Sequence, residues 1–323
     1  MGNKKVSVVV ATYNQEKYIG HTLESIVSQK VNFEYEVLVG DDCSTDGNAA
    51  IIKEYAEKYP DIIIPILREK NLGMGGNVAD LTMRVTGEYV AFIEGDDYWI
   101  DENKLQKQVD FLDSHPDYVA CFGLCQIVDQ NEKRQENMEQ WSGFMKEGGD
   151  YTLEMFQNYV LPGQTATSMY RRVAYGQLQQ KIMNSGIDPR KLIDRSQVLC
   201  MMAVGKMYNL GEYVSAYRYV LDANSGSWSS QNDFYSKKNV LNYLQGMKDM
   251  ESIAKALELN LNFDERRVLE LNKLEDNYST FSKEDFNDIF EKILEDSFDK
   301  KQIKNIHNKR QAKRTIKKIL RKN

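Results

Sequence analysis

Val6-Ser7-Val8-Val9-Val10-Ala11-Thr12-Tyr13-Asn14 is a valine-rich run that stops on a short polar segment. A run with so little alternation marks a strand buried on both faces, as in a parallel sheet covered by helices. Downstream, Glu16–Gln29 places Ile19, Leu23, Ile26 and Val27 at helical spacing. The alternation then repeats. Tyr35–Val39, Ile62–Leu67, Glu88–Ile93 and Tyr118–Phe122 read as strands, and Thr45–Lys58, Met74–Val85 and Leu105–Leu112 as helices. Strands alternating with helices of this length predict a parallel α/β sheet with right-handed crossovers. Ligands of such sheets bind beyond the carboxyl ends of the strands, so the residues just after each strand are the candidates.

Three of those positions stand out. Ala11-Thr12-Tyr13-Asn14 follows the first strand, Gly40-Asp41-Asp42-Cys43-Ser44-Thr45-Asp46-Gly47 the second, and Glu94-Gly95-Asp96-Asp97-Tyr98-Trp99 the fourth. Two acidic pairs at one sheet edge repel unless cations or hydrogen-bond donors compensate them. Carboxylate oxygens suit Mg²⁺ or Mn²⁺, ions that commonly also bind substrate phosphates. A metal–diphosphate site is one reading. The plainer alternatives are a turn and helix cap over Asp42–Asp46 and a solvated loop at Asp96-Asp97.

Four segments in order, Val6–Asn14, Val39–Gly47, Asn71-Leu72-Gly73 and Gly87–Trp99, closely resemble family-2 glycosyltransferases of the GT-A fold. The resemblance covers about residues 5–113, continues more weakly to about 230 and does not cover the tail. It implies a Rossmann-like, mostly parallel central sheet flanked by helices, with a C-terminal helical extension. It also implies that Ala11, Thr12, Tyr13, Asp42, Asn71 and Asp96 bind the nucleotide, with Asp96 on the ribose. Asp97 would hold the divalent ion, Mn²⁺ or Mg²⁺, that bridges the diphosphate. In the second half, Asp194, Gly205-Lys206 and Tyr217-Arg218 keep the family's spacing. By that match Asp194 is the candidate base that takes the proton of the attacking hydroxyl; its plainer role is a helix N-cap. Arg218 is open between a phosphate contact and a structural ion pair.

Two departures qualify the match. Where relatives carry an Arg-Asn pair after the Asn-x-Gly turn, this chain has Gly76-Asn77, so an arginine contact to the donor is absent or comes from elsewhere. Where relatives carry a metal-binding histidine two residues after Tyr-Arg, this chain has Val220, which leaves the metal to Asp97, the diphosphate and water. His21, His115 and His307 read as ordinary helix or loop residues. Trp99 and Trp228 read as core, and Pro162-Gly163-Gln164-Thr165 as a loop on the acceptor side.

The 323 residues are 41% hydrophobic and 28% charged with a net charge of −6, which excludes global disorder and a generally nucleic-acid-binding chain. No apolar run approaches the roughly 20 residues needed to span a bilayer, and Met1 leads directly into a strand-like segment with no signal-peptide core. Four cysteines without zinc spacing fit a reduced, cytoplasmic protein. A boundary near 228–234 separates a catalytic domain, residues 1–230 (nucleotide-sugar half 1–113, acceptor half 114–230), from a helical extension, 231–323. From 233 onward there is no proline and one glycine, Gly246. Residues 300–323 carry 11 Lys and Arg and no acid, leaving the rest at a net of −17. This basic, amphipathic tail predicts one of three uses: a solvated helix, peripheral contact with the inner face of the cell membrane, or a contact between copies. The expected activity is a metal-dependent, inverting transfer from a nucleotide-diphosphate sugar, a UDP-sugar first, to a growing bacterial glycan, lipid-linked or protein-linked. The alternatives are a sugar-phosphate nucleotidyltransferase, disfavoured by the lack of a Gly-rich basic loop after the first strand, and a non-catalytic scaffold subunit of a glycan-assembly complex.

Overall fold

The computed structural model describes residues 4–174, 177, 194–219, 236–276 and 281–320. The chain divides into two compact units, Met1–Thr152 with Val160–Leu221, and Leu153–Tyr159 with Asp222–Asn323.

The first unit is built on the alternation legible in its sequence. It comprises β1 (Val6–Thr12), α1 (Ile19–Val27), β2 (Tyr35–Asp41), α2 (Asn48–Lys58), β3 (Ile63–Leu67), α3 (Gly73–Arg84), β4 (Tyr89–Glu94), β5 (Tyr98–Trp99), α4 (Lys104–Ser114) and β6 (Tyr118–Val128). Then come α5 (Glu136–Trp141), β7 (Gly149–Asp150), β8 (Met169–Arg171), α7 (Asp194–Met202) and β9 (Lys206–Arg218), while the intervening α6 (Leu153–Gln157) belongs to the second unit. Among the described residues these strands form one nine-stranded sheet in the order β3-β2-β1-β4-β8-β6-β9-β5, with β7 beside β9. β1 is buried along its whole length, as an uninterrupted apolar strand at the sheet centre must be. β3 lies at an edge, where Pro65 forfeits little because only one side of the strand is paired.

The sheet is mostly but not wholly parallel. β1 pairs in parallel with β2 and β4, whereas β8 runs antiparallel to β4 and β6, and β5 antiparallel to β9. β1 lies between β2 and β4, so the first crossovers leave to one side and a later one returns to the other. That reversal makes the carboxyl ends of β1 and β4 the topological switch point, where a crevice opens. Register aligns them: Thr12 pairs with Asp41 and Ala11 with Glu94. The polar stretch between 129 and 150 contains a short helix. Glu136–Trp141 is helical there because Glu139 reaches back to pair with Arg134 and to accept the Ile127 N–H, ties that no periodicity advertises.

The second unit holds α8 (Lys237–Ala256), α9 (Asp264–Asp276), α10 (Lys283–Asp296) and α11 (Lys300–Leu320), together with α6. Phe156 and Tyr159 of the α6 segment lie 6.0 and 5.6 Å, ring to ring, from the fully buried Phe263. The expected boundary near 228–234 left this excursion with the catalytic half, since a single aromatic pair gives no periodic signal. Arg267, fully buried, forks onto both oxygens of Glu251 at 2.7 and 2.8 Å and also reaches Asp264 at 3.2 Å. Asp264 in turn accepts the N–H groups of Phe298 and Asp299, which joins the three helices.

Candidate active site

Two loops at the carboxyl ends of β1 and β2 are stitched together by side chains that cap backbone groups. Asn14 donates its N–H to Ser44 Oγ at 2.8 Å and accepts the Thr45 N–H at 2.8 Å. Asp46 accepts the Glu16 N–H at 3.0 Å, and Glu16 accepts the Gly47 N–H at 2.6 Å. Asn14 and Cys43 occupy the left-handed region, with φ of 52° and 65°. Asparagine tolerates that conformation, whereas at Cys43 it is strained and sustained by the surrounding bonds. Crowding is also severe at Gly95, where an added Cβ would lie 2.5 Å from Thr12 Oγ1. Gly95 is therefore required for β4 to approach β1 so closely.

The sequence-nominated residues of the first half converge here. Ala11 accepts the Gly95 N–H at 3.0 Å and Thr12 accepts the Asp42 N–H at 3.0 Å. Asp42 is buried, accepts the Leu72 N–H at 2.8 Å on Oδ1, and its own carbonyl accepts Asn71 Nδ2 at 2.9 Å. Tyr13 projects into solvent, 45% exposed, while Thr12 is buried with its hydroxyl donating to Gln15 at 2.8 Å. The strand ends thus carry one exposed aromatic ring, Tyr13, and one fixed carboxylate, Asp42.

Asp97 sits deepest. It is 2% exposed, and each carboxylate oxygen has a donor: the Arg218 N–H at 2.9 Å on Oδ1 and Gln164 Nε2 at 2.8 Å on Oδ2. Burial, then the charges of Asp96 and Glu94, hold its carboxyl well above the usual carboxylate range. Burial likewise raises Asp96, against the opposing pull of its backbone and of Arg218 and a hydrogen bond from Gln15. The charges of Asp96 and Glu94 thus bear on a buried Asp97, and together the three carboxylates are a set of hard oxygens. Among the described residues no group of three or more His, Cys, Asp or Glu is arranged to hold a metal alone. A divalent ion fits this site only if a second ligand, such as a diphosphate, completes its coordination.

The remaining nominations divide. Asp194 begins α7, but its side chain lies outside the described residues, as do Val220 and Trp228. Arg218 makes an ion pair within the site: its side chain is 1% exposed, its Nη2 pairs with Glu132 at 3.0 Å, its Nε donates to the Asp96 carbonyl at 2.9 Å, and its guanidinium stacks over Tyr18 at 4.4 Å. His21 joins this cluster, 2.9 Å from Glu132 and stacked 4.1 Å from Tyr98. Asn77 donates to the Gly40 carbonyl and accepts from Arg68, whose Nε lies 3.9 Å from Asp42. Trp99 is core, donating from Nε1 to the Ala166 carbonyl at 2.8 Å.

Gln164 is the residue the sequence misplaces. Its loop reads as acceptor-lining, yet its amide clamps Asp97 and, through Oε1, accepts the Ala166 N–H at 2.6 Å. The signal available was only its position before a short strand. Lys104 was not singled out at all: fully buried, it donates to Gln108 at 2.8 Å and lies 4.3 Å over the Trp99 ring, and burial lowers its amine to about 7.

With this geometry in view, the comparisons with known proteins fall into place. The sequence profile of Glycosyl transferase family 2 matches residues 7–178, just over half of the chain. The chain belongs to glycosyl transferase family 2. Over 123 residues, 38% of this chain and 36% of its relative, it is 45% identical to the uncharacterized protein Mb1547 of Mycobacterium bovis. Over 218 residues, 66% of this chain and 64% of the relative, it is 29% identical to the uncharacterized glycosyltransferase alr2836 of Nostoc sp.. The matched segments therefore span less than two thirds of the length of these relatives. Among solved structures, Staphylococcus aureus TarS 1–349 in complex with UDP-GlcNAc superposes with a TM-score of 0.60 at 21% identity, covering 90% of this chain and 81% of that one. That likeness shows the fold, a GT-A-type α/β sheet with C-terminal helices, as the sequence resemblance implied.

Proposed function

We propose that this protein is a metal-dependent, inverting glycosyltransferase that moves a sugar from a UDP-sugar to a hydroxyl of a growing bacterial glycan, lipid-linked or protein-linked. The observation that carries the reading is the convergence of Thr12, Tyr13, Asp42, Asp96 and Asp97 at the switch point of one sheet, where Asp97 is buried beside the charges of Asp96 and Glu94. The complex of TarS with UDP-GlcNAc supports a UDP-sugar as donor.

In this account the exposed Tyr13 ring stacks on the base, Asp42 accepts from it, and Asp96 meets the ribose. Asp97 would hold a Mn²⁺ or Mg²⁺ ion, and such an ion would supply charge neutralisation to the departing diphosphate. Gln164 and the Arg218 N–H fix the Asp97 carboxylate so that little reorganisation is needed on binding. The acceptor hydroxyl attacks the anomeric carbon from the side opposite the diphosphate, and Asp194 takes its proton as the glycosidic bond to the donor breaks. Carboxylates held together against their mutual repulsion favour a ligand-binding role over a non-catalytic scaffold.

The test is UDP release from UDP-GlcNAc, UDP-glucose and UDP-galactose by purified protein, with Mn²⁺ and with chelator. Metal-dependent release from one donor is expected. Absence of release and of UDP binding with all three donors would overturn the reading.

A further inference from the structure

An open cavity of about 370 Å³ lies in the first unit between β6, β9 and α5, lined by Cys125, Arg134, Glu139, Gln140, Ser142 and Tyr213 among others. Its volume falls within the ~300–1,000 Å³ of small-molecule sites. Its chemistry is specific. Arg134 donates from Nε and Nη2 to the two oxygens of Glu139 at 2.8 Å each, and the Ile127 N–H donates to the same carboxylate at 3.0 Å. Lys146 donates to the Glu139 carbonyl and to the Ser142 hydroxyl. Two cations, Arg134 and Lys146, thus face two carboxylates, Glu136 and Glu139, so the lining carries no net charge. The Tyr213 ring, with the Arg134 guanidinium 4.8 Å over it, remains 42% exposed. A pyranose matches such a wall, because it offers an apolar C–H face to an aromatic ring and a rim of hydroxyls to fixed carboxylate, amide and hydroxyl groups.

The cavity also has a bearing toward the carboxylates. Ser215 and Tyr217 alternate along β9, and a break in the β6–β9 register sets Tyr213 apart from them. At the far end, Arg218, the residue after Tyr217, donates its N–H to Asp97 at 2.9 Å. Cys125, which lines the cavity, pairs with Ser215 in the register of β6 and β9. Four residues of strand separate Tyr213 from Tyr217, about 13 Å.

We infer that this cavity is a subsite for a neutral sugar of the acceptor glycan, set back from the unit whose hydroxyl reacts. The inference rests on the transferase reading for its role, and on the cavity alone for its ligand class.

Saturation-transfer NMR on the full chain tests it, with cellotriose, chitotriose and maltotriose as neutral probes and trigalacturonate as the anionic contrast. At least one neutral trisaccharide should receive saturation from the protein, and Tyr213→Ala should weaken it by about tenfold or more while Tyr213→Phe keeps it. Because Tyr213 also touches Glu139, Gln140→Ala, at an exposed position, serves as the second variant and should weaken the same probe. Circular dichroism melts check that each variant is folded. No neutral trisaccharide bound, binding of trigalacturonate alone, or binding unchanged in both Tyr213→Ala and Gln140→Ala would overturn the subsite. UDP calorimetry on the same preparation reads the transferase proposal separately: a protein that binds a neutral trisaccharide but no UDP keeps the subsite and loses that proposal.

Discussion

Asp97 is held at a cost that its own neighbours set. Burial and the charges of Asp96 and Glu94 push its carboxyl up, so between the ordinary carboxylate range and that raised value the folded chain binds more protons than the unfolded one. Stability of the metal-free protein therefore falls as pH rises through this window. Asp97→Asn removes the charge, and the metal-free variant should be more stable than wild type at pH 7.5 by on the order of 1 kcal/mol, a gain that shrinks toward pH 4. Thermal melts across pH measure it, and a variant less stable than wild type at pH 7.5 would show that the two hydrogen bonds to the carboxylate outweigh its desolvation. The same variant should lose metal-dependent turnover, since an amide is a poor ligand for a hard cation. Asp194→Asn makes the opposite pattern: transfer lost with UDP affinity retained, whereas lost UDP affinity would assign Asp194 to the donor site. That Asp42, Asp96 and Asp97 lie just past strand ends was legible in the sequence, because β2 and β4 read as apolar runs. Gln164 was not, because its partner lies 67 residues away and nothing local records the contact.

At the level of elements, the strands and helices up to β6 could be read with boundaries shifted by a few residues, because burial on both faces leaves nearly unbroken apolar runs. The antiparallel insertions β5 and β8 escaped, being two and three residues long and defined by pairing instead of pattern. In the second unit the decisive contact is ionic. Arg267→Ala would leave Glu251 and Asp264 buried without their cation, and the expected loss is about 3–5 kcal/mol. Urea unfolding followed by helical circular dichroism checks this, and a loss under about 1 kcal/mol would mean that water reaches the pair. Replacing the whole ionic group with apolar residues of similar volume should cost far less than removing the arginine alone.

Across the whole molecule, charge is segregated: the last 24 residues hold 11 of the 42 basic side chains. None of the described helices is long and apolar enough to cross a membrane. The start of the tail is packed, with Ile303 buried and His307 stacked 4.1 Å from Phe290. Side chains from 313 onward lie outside the described residues, so the amphipathic face expected at Ile316, Ile319 and Leu320 stands on sequence alone. If the tail docks on an anionic membrane, protein should co-pellet with phosphatidylglycerol vesicles at low salt and be released at high salt. Deleting 313–323, which removes six Lys and Arg, should abolish the effect. No pelleting, with a smaller assembly in solution after truncation, would assign the tail to contact between copies. The central claim concerns the other end of the chain, that the edge formed by β1, β2 and β4 binds a nucleoside diphosphate through a metal on Asp97. Isothermal titration of UDP into wild type and Asp97→Asn, with and without Mn²⁺, tests it most directly. The account predicts Mn²⁺-strengthened UDP binding in wild type that Asp97→Asn reduces to the metal-free level; equal Mn²⁺-dependent binding in both proteins, or none in wild type, would contradict it.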